Sequence, residues 1–296
     1  MNLAAVLRDS WRITWKNWGL WLLQLLLLFV FVPAMTLSGG FGGVAALVAL
    51  PMPGRAPFWL RQLRELPAAA WIGIAAAALL VLAATTAVSW MLQAATMRGA
   101  AMAAERGSFS VVEALKLGRQ RLISLLTLSV IFGAIIGALG LLPLLIIILL
   151  GSRFEFAITL MNGAQTVLLP VNMVLGLVLL IVMMSVALED LKPGAAFKRG
   201  WKVLSAGWWA FVFVFGIAFV LSLLGSMIVT VTALALLVPG LMLLAVSTPL
   251  GAIALVIGGL LLTPLAGFLF TFIAVFTLVL YTLAYREAAR LTTATT

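Results

Sequence analysis

Long apolar runs alternate with short basic stretches along the whole chain. About 20 consecutive apolar residues cross the hydrocarbon core of a bilayer as a helix. By that measure the pattern predicts six spanning helices, at roughly 17–38, 67–97, 122–150, 157–188, 207–237 and 264–285. The segment 240–263 is apolar but interrupted by Pro249, Gly251, Gly258 and Gly259, and no charged residue lies between Val203 and Tyr285. Two long helices joined by a short membrane-embedded connector fit this stretch, and so do three spans. Charge decides for two, because three would carry Arg286 and Arg290 to the opposite side.

The basic stretches have a pattern of their own. Leu3, Leu7, Trp11, Trp15 and Trp18 recur every three or four residues, with Arg8, Asp9, Arg12 and Lys16 off that stripe. This predicts an interfacial helix with its aromatic face in the headgroup layer. Ser110 and Glu113 have the spacing of a capping box and predict a second short helix. A third begins near Asp190 and Pro193 and carries Phe197, Trp201 and Leu204. These segments align weakly. Ala114-Leu115-Lys116-x-Gly118 matches Ala196-Phe197-Lys198-x-Gly200, and Trp11-Arg12 with Trp18 matches Trp201-Lys202 with Trp208. Residues 1–296 read as a single membrane domain. It divides into three units, 1–98, 107–188 and 190–286, or it simply has basic, Trp-bearing interfaces of the ordinary kind.

Composition sets the class. The chain is 65% hydrophobic and 9% charged, whereas a soluble domain carries about 25% charged residues. The expected fold is all-α, a polytopic transmembrane helical bundle with interfacial amphipathic helices. Of the lysines and arginines, 14 fall on one side of the six-span topology and 4 on the other, namely Arg55, Arg61, Arg64 and Arg153. The larger set belongs in the cytoplasm, with both termini, as expected for a multi-pass protein of a prokaryotic inner membrane. The net charge of +10 is then attraction to anionic lipid, and no nucleic-acid partner is implied. The N-terminus lacks the short charged region and clean cleavage site of a signal peptide, and its first span is expected to be retained.

Candidate chemistry is sparse. Cysteine and histidine are absent, so disulfides and Cys/His metal sites are excluded and no cofactor is expected. Asn162, Gln165 and Asn172 share one helix face beside Pro170 and form a candidate intramembrane polar face. It is a polar path or, preferentially, a source of interhelical hydrogen bonds to Gln93 or Gln24. Gly133, Gly137 and Gly140 form a candidate helix-packing face, internal or towards a partner. Candidate lipid-headgroup or partner contacts are Trp11, Arg12, Lys16, Arg55, Arg61, Arg64, Lys198, Arg199 and Trp201. The adjacent pair Glu189-Asp190 is expected to complement the dipole at the start of the third interfacial helix. No nucleophile elbow, phosphate-binding loop or metal motif is present, and the chain does not read as an enzyme.

The segment from Trp11-Arg12 to Asn17, the Ala196-Phe197-Lys198-x-Gly200-Trp201 segment, and a Pro264-led last helix closing on Tyr281 and Tyr285-Arg286-Glu287 carry a resemblance. They resemble a loose family of six-helix prokaryotic membrane proteins related to the membrane domain of glycerophosphoryl diester phosphodiesterases. That family's catalytic domain is a separate soluble unit that uses histidine, so the resemblance implies a membrane module without its activity. The expected function is a non-enzymatic scaffold or accessory subunit of a larger membrane complex, in contact with lipids and other subunits. The alternative is a permease for a small or lipidic solute, favoured by the polar face and the interrupted 240–263 segment.

Overall fold

The computed structural model describes residues 2–30, 65–150 and 154–294. These form nine α-helices, with no strand among the described residues. In chain order they are α1 (Leu3–Lys16), α2 (Trp18–Val30), α3 (Ala68–Arg106), α4 (Val111–Gln120) and α5 (Leu122–Leu150), then α6 (Phe154–Glu189), α7 (Pro193–Ala206), α8 (Trp208–Val246) and α9 (Thr248–Ala294). Five of them (α3, α5, α6, α8 and α9) are long and apolar enough to cross a membrane. A sixth span results if α1 and α2 count as one broken helix, bent by 79°.

The local chemistry explains the ends. Asn2 caps α1 by accepting from the Ala5 amide at 3.2 Å, an orphan donor of the first turn. The bend after α1 is stitched by Asn17 Nδ2, which donates to the Ile13 carbonyl at 3.1 Å, and by Trp21 Nε1, which donates to the Thr14 carbonyl at 2.8 Å. Gly107 closes α3 with φ of 79°, a left-handed cap that glycine adopts without strain. Pro193 opens α7 at a position where no amide donor is needed.

Each short helix packs on a long one, α1 on α9, α4 on α3 and α7 on α6. The buried faces coincide in register. Val6, Ser10, Ile13 and Thr14 are buried in α1, and Ala196, Gly200, Val203 and Leu204 in α7. Ala114 and Gly118 are buried in α4. A Cβ at Gly118 would stand 2.6 Å from the Met91 carbonyl oxygen of α3, and one at Gly200 would stand 3.1 Å from Val182 Cα of α6. Gly118 lets one backbone cross another at a distance no side chain permits, and Gly200 makes a crossing tighter than most side chains meet.

The main core lies at the end where these basic segments gather. Leu125, Met183, Phe211, Leu280 and Tyr285 are among its largest fully buried side chains. Away from it, α3 exposes Ile72, Leu79 and Leu80, and α8 and α9 continue as a bare apolar hairpin. At 1.5 Å per residue the 39 residues of α8 reach about 58 Å, roughly twice the hydrocarbon thickness.

That hairpin has the two long helices chosen for this stretch and corrects their bounds, 207–237 and 264–285. The connector is Ser247, where the chain reverses, and the rest of 240–263 is continuous helix. The glycines act as contact points. A Cβ at Gly240 would meet the Leu255 amide at 3.0 Å, and one at Gly258 would meet the Leu236 carbonyl at 2.7 Å. Small residues there let α8 and α9 close on each other. Replacing Gly258 with leucine should therefore lower stability by about 1–3 kcal/mol through overpacking. Gly133→Ala, where a Cβ meets nothing within 4 Å, should leave it unchanged. Thermal unfolding in detergent distinguishes the two.

Candidate functional site: a charged junction at the basic end

Glu189 is the last residue of α6, and Asp190 follows it in a left-handed conformation with φ of 59°. Carboxylates at the carbonyl end of a helix face the negative pole of its dipole. The expectation that this pair serves the start of α7 is overturned, because α7 is capped by Lys192 and has no acidic residue in its first turn. The pair is held by arginines from three other segments instead.

Asp190 Oδ1 accepts from Arg98 of α3 and, at 2.8 Å, from Arg121 Nε between α4 and α5. Burial opposes its charge, but hydrogen bonds and attraction from Arg121 and Arg98 outweigh that and hold its carboxyl below the usual range. Glu189 Oε2 accepts from Arg199 Nε of α7 at 2.8 Å, and its Oε1 accepts from the Tyr285 hydroxyl of α9 at 2.7 Å. The same hydroxyl lies 2.9 Å from Ser185 Oγ. Arg199 also donates to Thr292 Oγ1 at 2.7 Å and to the Ala289 carbonyl at 3.3 Å. Arg286 closes the set, donating to Glu105 and, at 3.0 Å, to the Ala101 carbonyl of α3.

These ties join the C-terminal ends of α3, α6 and α9. Between them lies a cavity of about 420 Å³, lined by Arg98, Arg106, Arg199, Arg286, Arg290 and Tyr285 among others. A second cavity of about 530 Å³, mostly apolar, is lined by Gln24, Gln93, Thr271, Thr277 and Tyr281. Its lining on α9 runs from Phe270 to Tyr281, so it begins one turn below Tyr285 and extends about three turns further along that helix.

The residues singled out in the sequence fall elsewhere. Gln24 donates to Thr96 Oγ1 at 3.0 Å and not to the α6 polar face. Asn172 Oδ1 is buried without a partner among the described groups, while the side chains of Asn162 and Gln165 lie outside the described residues. Gly133 and Gly137 have no neighbour within 4 Å of a built Cβ, so they mark no contact within the described chain. The surroundings of Gly140 are outside the description, as are Arg55, Arg61 and Arg64. Trp11, Arg12, Lys16, Lys198 and Trp201 are exposed. Arg199 is not, since it belongs to the junction, its side chain 19% accessible.

The signal for this junction was present in the charges at helix ends. Arg98 and Glu105 sit two turns apart on one face of α3, and Tyr285-Arg286 ends the last charge-free run. Arg199 meets Glu189 only ten residues away, but the partners of Asp190 and Glu105 come from 69 to 181 residues apart.

Glu189→Gln keeps the shape but removes charge from two hydrogen bonds, and should cost about 1–3 kcal/mol in thermal unfolding. Asp190 contributes stability above its unfolded pKa, near 3.8, and loses it as pH falls through the lower folded value. The unfolding midpoint of the wild type relative to Asp190→Asn should therefore stay constant from pH 7 to about 5 and shrink only below the ordinary carboxylate range.

Compared with known protein families, curated proteins and solved structures, the chain matches none of them.

Proposed function

We propose that the chain is a non-enzymatic integral membrane module, a scaffold or accessory subunit of a larger membrane complex. The observation that carries this is the junction itself. Its acidic groups tie α3, α6, α7 and α9 together, and such cross-ties favour a rigid platform over a moving one. The bare α8–α9 hairpin and the exposed α3 face offer apolar helix surface for other subunits as well as lipid. The resemblance to the six-helix membrane domains belongs to the same proposal.

In this proposal the basic end is cytoplasmic, with both termini on that side of a prokaryotic inner membrane. Helices α1, α4 and α7 lie in the headgroup layer, where exposed Trp11, Trp15, Trp201 and Trp209 suit it. The chain is then three units, each a short helix followed by a helical pair. The shared register of the buried faces supports this, as does α1 packing on α9 in the way that α4 packs on α3. A second reading, a permease, is favoured by the deeper cavity, where the hydroxyls of Thr271 and Thr277 are buried without partners among the described groups.

Two measurements test the proposal. Mild extraction of the tagged protein from its native membrane should retain a stoichiometric protein partner on mass spectrometry, and recovery as a lone chain would refute the scaffold. Because the chain has no cysteine, Ser108→Cys should be labelled by an impermeant reagent only after the membrane is opened, and labelling from outside would invert the topology.

A further inference from the structure

We propose that the cavity at the basic end binds the phosphate of an anionic phospholipid, as a site distinct from the exposed interfacial residues. This does not depend on the scaffold assignment.

The charges in the cavity are unevenly satisfied. Five arginines line it against three carboxylates, Glu105, Glu113 and Glu189. Glu105 is taken by Arg286 and Glu189 by Arg199. Glu113 approaches Arg106 only at 4.0 Å, with both side chains at least half exposed, a geometry that holds neither in place. Arg290 meets Glu287 only at 3.9 Å and is 72% exposed. Arg98 gives one nitrogen to Asp190, which it shares with Arg121, while its Nε is buried with no acceptor among the described groups. That nitrogen is closed off from the chamber, so the groups free to meet a ligand are the exposed, weakly paired Arg106 and Arg290.

Arg106 and Arg290 therefore bring loosely held donors to a chamber that Arg98, Arg199 and Arg286 also line. Guanidinium groups match phosphate in geometry as well as charge. A volume of about 420 Å³ is within the range of small-ligand sites. Phosphate could reach it from a soluble ester or from a lipid. The lipid is favoured by the second cavity, about 530 Å³ and mostly apolar, which begins one helical turn below Tyr285 and continues towards Phe270 along α9. A headgroup beside Tyr285 and an acyl chain beside Tyr281 suit one amphiphile.

The test uses the full chain in detergent and native mass spectrometry. Phosphatidylglycerol and phosphatidylcholine are titrated separately, and glycerol phosphate is the soluble arm. The variant is Arg106→Gln with Arg290→Gln, two exposed and loosely paired side chains whose loss leaves the junction intact, as an unchanged unfolding midpoint would show. Lys198→Gln, an exposed cation outside the cavity, controls for general surface charge. We expect one phosphatidylglycerol retained in preference to phosphatidylcholine, weakened roughly tenfold or more in the double variant and unaffected by Lys198→Gln. If the double variant unfolds early, Arg290→Gln alone carries the same expectation at a smaller factor. Equal retention by wild type and variant, equal retention of the two lipids, or loss by Lys198→Gln to the same degree would overturn the site. Glycerol phosphate binding as tightly as the lipid would overturn the lipid source.

Discussion

Two carboxylates at the carbonyl end of α6 face the pole of the helix dipole that least favours them. Left alone, Glu189 and Asp190 would strain the end of a long apolar helix. They are tolerated because Arg98, Arg121 and Arg199 converge there from three other segments, with the Tyr285 hydroxyl as a fourth contact. That compensation fixes where α3, α6, α7 and α9 stand relative to one another, and the main core is built against the same end. Partial burial strengthens each tie relative to a surface pair, and removing one partner strands the other.

Glycine supplies the complementary constraint. Apolar side chains give no net drive for helix association in lipid, so close backbone approach and dispersion contacts decide which helices pair. Gly118 and Gly200 bring the short helices α4 and α7 down onto the backbones beneath them, while Gly240 and Gly258 close the α8–α9 hairpin. Charge locks the basic end and small residues close the apolar one. The junction is polar and cross-tied, whereas the hairpin is apolar and long, and these suit headgroup and hydrocarbon surroundings respectively.

Among the described residues six buried polar side chains have an atom without a partner, and three of them, Thr14, Ser89 and Asn172, line neither cavity. Arg98 Nε belongs to a residue lining the charged chamber, and the Thr271 and Thr277 hydroxyls belong to residues lining the apolar one. Most buried polar groups in a folded chain are satisfied, so the two threonine hydroxyls give the apolar cavity a polar character that its volume alone does not.

The helices were legible in the sequence because apolar length and capping chemistry act locally. The start of α3 after Pro67, the whole of α5, and the Ser110 cap of α4 all follow from residues within a turn or two. So does the gathering of basic residues in a few segments. The pairing of charges was not legible, because Arg286 meets Glu105 and Arg98 meets Asp190 only once distant helix ends converge. The extension of both helices through the interrupted segment 240–263 was not legible for the same reason. Glycine breaks an isolated helix by its entropy, yet serves a paired one by its missing side chain, and only the tertiary structure shows that a partner helix is there.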